Sequence, residues 1–302
     1  MLICVPSESG RKLLGDPPDG VELIVWNGSG EAPRRADEIE FLIGRDDLMP
    51  PPREALAALA ALQVVQSPSA GVDAWLPLVP DGVRLCSARG AHGPSTAEVA
   101  VAGAIAVLRR FPELVQAQAA RQWQRSDADT LADRKVLVLG AGDIGERVAV
   151  AMRAFDAEVT LVARHGRAGV RELADLPALL PEAQVVVLSL PHTPESDHLV
   201  DAGFLAALPD GALVVNVSRG GIVDTDALLA ELTSGRLRAF LDVTDPEPLP
   251  ADHPLWTAPN LMVTPHIGGA TTARERRVYR LVREQIRRYA AGEPLLNEVD
   301  GY

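Results

Sequence analysis

A glycine-rich turn between a predicted strand and a predicted helix constrains this chain more than any other feature. The motif Gly-Ala-Gly-Asp-Ile-Gly starts at Gly140, directly after the apolar run Val136–Leu139, and Glu146–Phe155 reads as a helix running out of it. Here Gly140 allows a tight turn, Gly142 lets the backbone approach a pyrophosphate, and Gly145 lets the helix pack on the strand. The backbone amides at the start of the helix then point at the phosphates, where the helix dipole favours negative charge. A bare Gly-x-Gly-x-x-Gly is often only a turn, but this setting predicts a dinucleotide site.

Length and composition restrict the class of protein. The chain has 302 residues, 47% of them hydrophobic, which is enough for two domains with their own cores. No apolar run reaches the roughly 20 residues of a membrane span, and the N-terminus lacks the basic region of a signal peptide. Cys4 and Cys86 read as two buried thiols in a reducing compartment. Net charge of −12 argues against nucleic acid or an anionic membrane as partner. These features predict a soluble cytoplasmic protein.

Short apolar runs alternate with turn-forming stretches and helical patterns along the chain. Strands are predicted at Leu2–Val5, Glu22–Trp26, Glu40–Ile43, Gln63–Gln66, Val83–Cys86, Val136–Leu139, Glu158–Val162, Gln184–Leu190, Ala212–Val217, Ala239–Val243 and Leu261–Thr264. The main helices are predicted at Arg53–Leu62, Ser95–Arg110, Glu146–Phe155 and Thr271–Ala290. Two successive α/β units follow from this pattern, the second with enough strands for a doubly wound sheet.

Three segments after the later strands contain candidate catalytic groups. They run Asn216–Asp224, Leu241–Pro250 and Thr264–Gly269, and supply Arg219, Glu247 and His266 respectively. In an open α/β sheet, ligands bind outside the carboxyl ends of the strands, where all three segments are predicted to lie. Each residue alone could be a surface arginine, a loop glutamate or a capping histidine. Together, beside a dinucleotide turn, they predict a catalytic set.

From Ser95 to Thr271 the chain resembles the D-isomer-specific 2-hydroxyacid dehydrogenase family, closest in character to its NADPH-preferring glyoxylate and hydroxypyruvate reductases. The matching motifs are the glycine turn, Ser218-Arg219-Gly220 with Val223-Asp224, Asp242 with Glu247-Pro248-Leu249-Pro250, His253-Pro254-Leu255-Trp256, and Thr264-Pro265-His266. Ala70-Gly71-Val72-Asp73 and Ala97-Glu98 extend the match into the first unit. The resemblance implies a Rossmann-type doubly wound cofactor domain and a flavodoxin-like, discontinuous substrate domain.

The resemblance also implies a role for each reacting group. His266 would be the general acid that protonates the substrate carbonyl oxygen as hydride reaches carbon. Glu247 would hydrogen-bond the other ring nitrogen and favour the imidazolium form. Arg219 would hold the substrate through its planar fork. The backbone amides of Ala70 and Gly71 would hold the substrate carboxylate.

The cofactor would be held by several segments of the second unit. Asp242 would face the nicotinamide carboxamide or lie just behind it. The full set implied by the glycine turn and the family motifs is Gly140, Gly142, Asp143, Ile144, Gly145, Arg164, Arg167, Ser218 and Asp242.

One departure from an NAD-binding pattern concerns the second strand of the cofactor unit. Folds that prefer NAD usually carry an acid about 20 residues after the glycine turn. Here the segment from Ala163 reads Ala-Arg-His-Gly-Arg, so Arg164 and Arg167 could bind a 2′-phosphate, with His165 assisting when protonated. The alternative is a solvated basic turn. The segment predicts NADPH as the preferred cofactor, with NADH as the alternative.

Four further residues have weaker patterns. His192 and His198 flank a Thr-Pro pair near the family's adenine pocket and read as surface residues. His92 is expected to make a structural hydrogen bond, and Trp123 resembles the tryptophan of the family's dimer arm, although simple packing would also explain it. The six histidines show no metal-ligand spacing, so no metal is predicted.

The sequence therefore predicts a substrate domain of residues 1–94 and 271–302, a dinucleotide-binding domain of residues 95–270, a cleft between them and a homodimer. The expected reaction is reduction of a small 2-keto acid. Phosphoglycerate dehydrogenase is an alternative, although the chain ends soon after its last helix and leaves no room for that enzyme's usual regulatory domain. Formate and phosphite dehydrogenases share the scaffold but fit the basic turn less well. A nicotinamide-sensing, corepressor-like protein is the non-enzymatic alternative.

Overall fold

The structure, a computed structural model, describes residues 1–45, 50–125 and 127–299. Its strands are β1 (Leu2–Val5), β2 (Glu22–Val25), β3 (Ile39–Ile43), β4 (Val64–Gln66), β5 (Arg84–Cys86), β6 (Lys135–Leu139), β7 (Glu158–Ala163), β8 (Val170–Glu172), β9 (Val185–Leu188), β10 (Leu213–Asn216), β11 (Arg238–Leu241) and β12 (Leu261–Val263). Its α-helices are α1 (Glu8–Leu14), α2 (Arg53–Ala57), α3 (Gly93–Leu108), α4 (Phe111–Ala119), α5 (Asp143–Arg153), α6 (Leu176–Leu179), α7 (Ala202–Ala207), α8 (Thr225–Thr233) and α9 (Arg274–Ala290).

Two compact units make up the chain. One contains Met1–His92 together with the described residues from Thr271 onward, and the other is Gly93–Ala270. The predicted domain end at Tyr302 lies outside the described residues. The functions predicted for the two domains stay predictions.

The first unit is built on a five-stranded parallel sheet with the order β2-β1-β3-β4-β5, the flavodoxin-like order. Strands β1 and β4 are buried along their whole length, as expected for parallel strands covered on both faces. Helices α1 and α9 pack on one face, and a Cβ at Gly10 would overlap the ring of Tyr279, so glycine allows their close approach.

Helix α2 packs on the other face of the first sheet and is shorter than predicted. The apolar pattern predicts a helix over Arg53–Leu62, but α2 ends at Ala57. Leu56, Leu59 and Leu62 are all buried, and the chain continues after the helix in turns closed by Leu59 N–Leu56 O and Leu62 N–Leu59 O hydrogen bonds. Because these leucines are spaced by three residues, successive three-residue turns bury all of them.

The second unit contains a seven-stranded parallel sheet with the order β12-β11-β10-β9-β6-β7-β8. From β6 the chain adds β7 and β8 on one side, and then returns to place β9–β12 on the other. Adjacent β6 and β9 therefore form the topological switch point at which such sheets bind ligands. Helices α3 and α5 cover one face, and α7 and α8 the other. The predicted two-domain α/β class is confirmed. No helix in the three described ranges is both long and apolar enough to cross a membrane.

Candidate active site

The glycine turn lies at the switch point, at the carboxyl end of β6. Gly140 has a φ of +107°, which favours glycine, and a Cβ there would press on the backbone of Ser189 at the end of β9. The Ser189 hydroxyl lies within hydrogen-bonding distance of the carbonyl oxygens of Leu139 (3.2 Å) and Gly140 (3.0 Å), and shares its proton between them. These contacts hold the ends of the two strands together beside the turn.

The other two glycines fit a bound pyrophosphate. A Cβ at Gly145 would overlap the carbonyl oxygen of Gly140, so α5 packs directly on the turn. A Cβ at Gly142 would meet no atom within 4 Å, and Gly142 begins α5 without a side-chain cap. Open space beside uncapped amides at a helix start is what a phosphate group requires. Asp143 and Ile144 begin the helix, and the Asp143 carboxylate accepts a hydrogen bond from Arg147 Nε at 2.8 Å.

Two predicted reacting groups meet after β11 and β12. His266 Nδ1 lies 2.7 Å from Glu247 Oε1. The hydrogen bond with His266 holds the pKa of Glu247 below its usual value, despite the opposing effect of burial. His266 has a φ of +53°, a strained conformation for a residue other than glycine, and such strain is frequent at functional sites. With Nδ1 bonded to a carboxylate, Nε2 is the ring nitrogen available for proton transfer.

Asp242 is hydrogen-bonded to the loop that carries His266. It is 2% exposed, and its carboxylate accepts hydrogen bonds from Thr264 Oγ1 (2.6 Å) and from the amides of Ile267 and Gly268 (both 2.8 Å). The amide of His266 donates to the Asp242 carbonyl oxygen at 2.7 Å. Asp242 therefore fixes the backbone on both sides of the histidine. Of the two positions expected for Asp242, these contacts favour the one behind the reacting groups.

The turn after β10 presents Arg219 and is organised by Asn216. Asn216 is 1% exposed; its amide nitrogen donates to the Arg219 carbonyl (2.9 Å), and its oxygen accepts from the Ser218 amide (3.0 Å) and hydroxyl (2.9 Å). A Cβ at Gly220 would overlap the Thr244 backbone, so this turn lies against the loop that carries Glu247. Sequence reasoning gave Asn216 no role; its only signal was a polar residue ending an apolar strand.

The basic turn after β7 is surrounded by carboxylates. Arg164 Nη2 lies 3.4 Å from Glu195 Oε1. Arg167 Nη2 lies 3.1 Å from Glu146 Oε1 and donates to the carbonyl oxygen of Ala141 in the glycine turn at 2.7 Å. The sequence near Arg164 contains no acid, but folding brings these two carboxylates from other segments.

Ala70 and Gly71 lie in the first unit, in the loop that follows β4. His92 Nε2 is 2.7 Å from the carbonyl oxygen of Pro68 in the same loop, and His92 is 8% exposed. Burial lowers the pKa of His92. The expected structural hydrogen bond of His92 is present.

The remaining predicted residues lie on the surface of the second unit. His192 Nε2 is 2.8 Å from Asp197 Oδ1, His198 is exposed, and Trp123 is completely exposed. Among residues 1–45, 50–125 and 127–299, no group of three or more histidine, cysteine, aspartate or glutamate side chains could hold a metal ion.

Comparisons with known proteins indicate one protein family. Residues 101–268 match the family described as D-isomer specific 2-hydroxyacid dehydrogenase, NAD binding domain. An uncharacterized protein from the proB 3′ region of Corynebacterium melassecola is 32% identical over 250 residues, 79% of this chain and 82% of that protein.

Two of the solved structures that resemble nearly the whole chain are those of a dehydrogenase and a reductase. A D-isomer specific 2-hydroxyacid dehydrogenase from Xanthobacter autotrophicus Py2, in complex with NADPH and MES, has a TM-score of 0.84 and 32% identity, covering 99% of this chain and 97% of that one. An NADPH-dependent glyoxylate/hydroxypyruvate reductase from Sinorhizobium meliloti, in complex with NADP and sulfate, has a TM-score of 0.84 and 27% identity, covering 99% and 98%.

Proposed function

This chain belongs to the D-isomer-specific 2-hydroxyacid dehydrogenase family, and from that premise we propose that it reduces a small 2-keto acid, such as glyoxylate or hydroxypyruvate, with NADPH preferred over NADH. The product is the 2-hydroxy acid, of D configuration where its carbon is chiral. The chain is thus an NAD(P)-dependent oxidoreductase. The observation that carries the proposal is the 2.7 Å hydrogen bond between His266 and Glu247 at the end of the sheet.

Proton transfer is the task of His266. Reduction of a keto group adds one hydride to carbon and one proton to oxygen, and a bound nicotinamide would supply the hydride. His266 donates the proton from Nε2, while Glu247 accepts the Nδ1–H bond, fixes the ring orientation and stabilises the charged imidazolium before transfer. Asp242 keeps the histidine in place through the backbone of its loop, as a positioning residue.

Substrate orientation is the task of Arg219. A guanidinium can bind a carboxylate and the adjacent carbonyl through parallel N–H groups, which a lysine cannot reproduce. Asn216 holds the turn that presents Arg219. We also propose that the amides of Ala70 and Gly71 bind the substrate carboxylate, the role that the family resemblance implies for them.

Cofactor binding is the task of the glycine turn and the basic turn. The amides at the start of α5, including those of Asp143 and Ile144, would bind the pyrophosphate beside Gly142, and Ser218 would contact the nicotinamide half. Arg164 would bind the 2′-phosphate of NADPH, and Arg167 beside it, bonded to the Ala141 carbonyl, would hold the basic turn against the glycine turn. The Xanthobacter and Sinorhizobium relatives were crystallised with NADPH and NADP, which supports this preference.

We propose a homodimer and a cytoplasmic location as well. Trp123, fully exposed, and the half-exposed Phe111 and Val115 are apolar residues on and after α4 that a second copy could cover. Cys4 and Cys86 are both buried free thiols, which suits a reducing compartment in which NADPH is available.

The decisive experiment is to follow oxidation of NADPH and NADH side by side, with glyoxylate and with hydroxypyruvate. Faster turnover with NADPH supports the whole proposal. Faster turnover with NADH rejects the cofactor preference and leaves the dehydrogenase activity. Turnover only with larger 2-keto acids rejects the proposed substrates. Absence of turnover with a panel of 2-keto acids and both cofactors rejects the proposed reaction and favours a sensing role.

A further inference from the structure

The two arginines of the basic turn differ in what holds them. Arg167 is attached to the glycine turn, since it bonds to the Ala141 carbonyl as well as to Glu146, and its backbone pairs in both directions with Val170 (3.1 and 2.8 Å). Arg164 has a 65% exposed side chain, and its Nη2 lies 3.4 Å from Glu195 Oε1 in a solvated ion pair. Exchange of partners is therefore much easier at Arg164, because one weak, solvated contact has to be broken rather than two shorter bonds.

Glu195 is a fixed negative charge beside Arg164. Its loop is held by Ser196, which is 6% exposed and whose hydroxyl donates to the Pro191 carbonyl and accepts from the Thr193 amide, both at 2.8 Å. The Thr193 hydroxyl donates to Glu195 Oε2 at 2.8 Å. This bond, together with a backbone bond and the Arg164 charge, holds the pKa of Glu195 below its usual value, so the carboxylate is ionised at neutral pH.

A phosphate that binds Arg164 meets this carboxylate in two ways. It competes with Glu195 for the Nη2 group of the guanidinium, and its charge of about −2 is repelled by a carboxylate well within the screening length of about 8 Å. A ribose 2′-hydroxyl carries no charge and suffers neither effect. Glu195 thus penalises the phosphorylated cofactor and leaves the other almost unaffected.

We propose that Glu195 is a specificity-determining residue for the cofactor, whose carboxylate competes with the 2′-phosphate for Arg164 and so limits the preference for NADPH over NADH. Arg167 stays on the glycine turn and acts as a positioning residue. The inference rests on the proposed function, because it takes the basic turn as the 2′-phosphate site. It adds the residue that limits how strongly that site prefers NADPH over NADH.

The test is equilibrium binding of 2′,5′-ADP and 5′-AMP, measured by calorimetry. The variant E195Q is expected to bind 2′,5′-ADP about three- to tenfold more tightly than the unmodified chain, with 5′-AMP changed less than twofold, since one exposed ion pair is removed. The control is E182Q. Glu182 makes a 2.7 Å exposed ion pair with Lys135 at the amino ends of the strands of the same sheet, away from the basic turn, and its loss is expected to change neither affinity.

A second pair of variants separates the inference from the function on which it rests. R164A is expected to weaken 2′,5′-ADP selectively, whereas R167A is expected to weaken both ligands equally through the glycine turn. If R164A leaves 2′,5′-ADP unchanged, the proposed 2′-phosphate site is wrong. If R164A acts selectively but E195Q gives no gain, the site stands and the role of Glu195 is rejected. The NADPH to NADH ratio of kcat/KM should rise in E195Q by the same factor.

Discussion

At the scale of single residues, the proposed acid chemistry depends on two carboxylates with different tasks. Glu247 contacts the ring of His266, and Asp242 contacts the backbone around it. The first holds the ring of the imidazole, and the second holds the backbone that carries it. Because Asp242 is almost completely buried, its three accepted hydrogen bonds also offset the free-energy cost of enclosing a charged group.

Replacing His266 with asparagine should lower kcat for keto-acid reduction by about 10²- to 10⁴-fold, since the general acid is lost. Asparagine tolerates the positive φ at this position, so the fold should be unaffected. Cofactor affinity, measured by fluorescence titration, should change less than twofold. The matched control is H198N, an exposed histidine with a φ of +49°, which should keep normal turnover. Near-normal turnover in H266N would reject its role.

The sequence was sufficient to propose Arg219, Glu247 and His266, because each lies in a motif of its own after a predicted strand. It was not sufficient for Asn216 or for the partners of Asp242. Those contacts depend on side-chain directions in turns and, for Asp242, join residues more than 20 positions apart. Only folding brings such groups together.

At the scale of elements, most strands could be predicted to within one or two residues, because buried parallel strands are continuous apolar runs. Helices of one or two turns and the strand β8 could not. Helices α1 and α7 have seven and six residues, too few to show a helical period, and β8 has one buried valine followed by two exposed charged residues, so it forms no apolar run. The clearest sequence signals of the two helices were their capping side chains: Ser7 caps α1 and Asp201 caps α7.

Alanine at two glycines should separate folding from cofactor binding. In G142A the added Cβ meets only open space and the φ of −93° suits alanine, so Tm without cofactor should be unchanged while NADPH affinity falls at least tenfold. In G145A the Cβ overlaps the Gly140 carbonyl, so both Tm and affinity should fall. Thermal unfolding and fluorescence titration measure the two effects. Unchanged affinity in G142A would contradict a pyrophosphate at this turn.

Asp129 should stabilise the second unit in a pH-dependent way. Burial alone would raise its pKa, but hydrogen bonds and charges from Arg238 and Arg134 outweigh burial and lower it. A lowered folded-state pKa means that the stabilisation is present above the unfolded value, near pH 4, and is lost as pH falls through the folded value. Urea unfolding should show D129N less stable by about 1 kcal/mol at pH 7, with the difference shrinking below pH 4.

The control for this prediction is D127N, which removes the same charge from an exposed neighbour and should leave stability almost unchanged. A difference between D129N and the unmodified chain that stays constant from pH 7 to pH 3 would show that packing, not ionisation, accounts for the effect.

At the scale of the whole molecule, the two sheets differ in strand order although both are parallel. The sequence predicted two α/β units because two successions of apolar runs are visible. It could not give the order of strands from patterns alone, since neighbouring strands in space are not always neighbours in sequence. The glycine turn supplied the missing information for the second sheet, because that motif belongs to a known topology.

Removing Trp123 should weaken the proposed dimer. Sedimentation equilibrium is expected to show a dimer for the unmodified chain and at least a tenfold higher dissociation constant for W123A, since a large aromatic anchor is lost. W256A is the control, because Trp256 is a half-exposed tryptophan that donates its Nε1–H to the Pro250 carbonyl in its own loop. A monomeric unmodified chain, or equal effects in both variants, would contradict the proposed arm.

The strand order of the second sheet also has an evolutionary consequence. Arg219, Glu247 and His266 follow β10, β11 and β12, whereas Arg164 follows β7, and β6 and β9 lie between these two groups of strands. Substitutions after β7 can therefore accumulate without disturbing the residues proposed to transfer the proton. On the proposed function, a lineage with this architecture is free to change the nucleotide pool from which it draws electrons while inheriting the same chemistry.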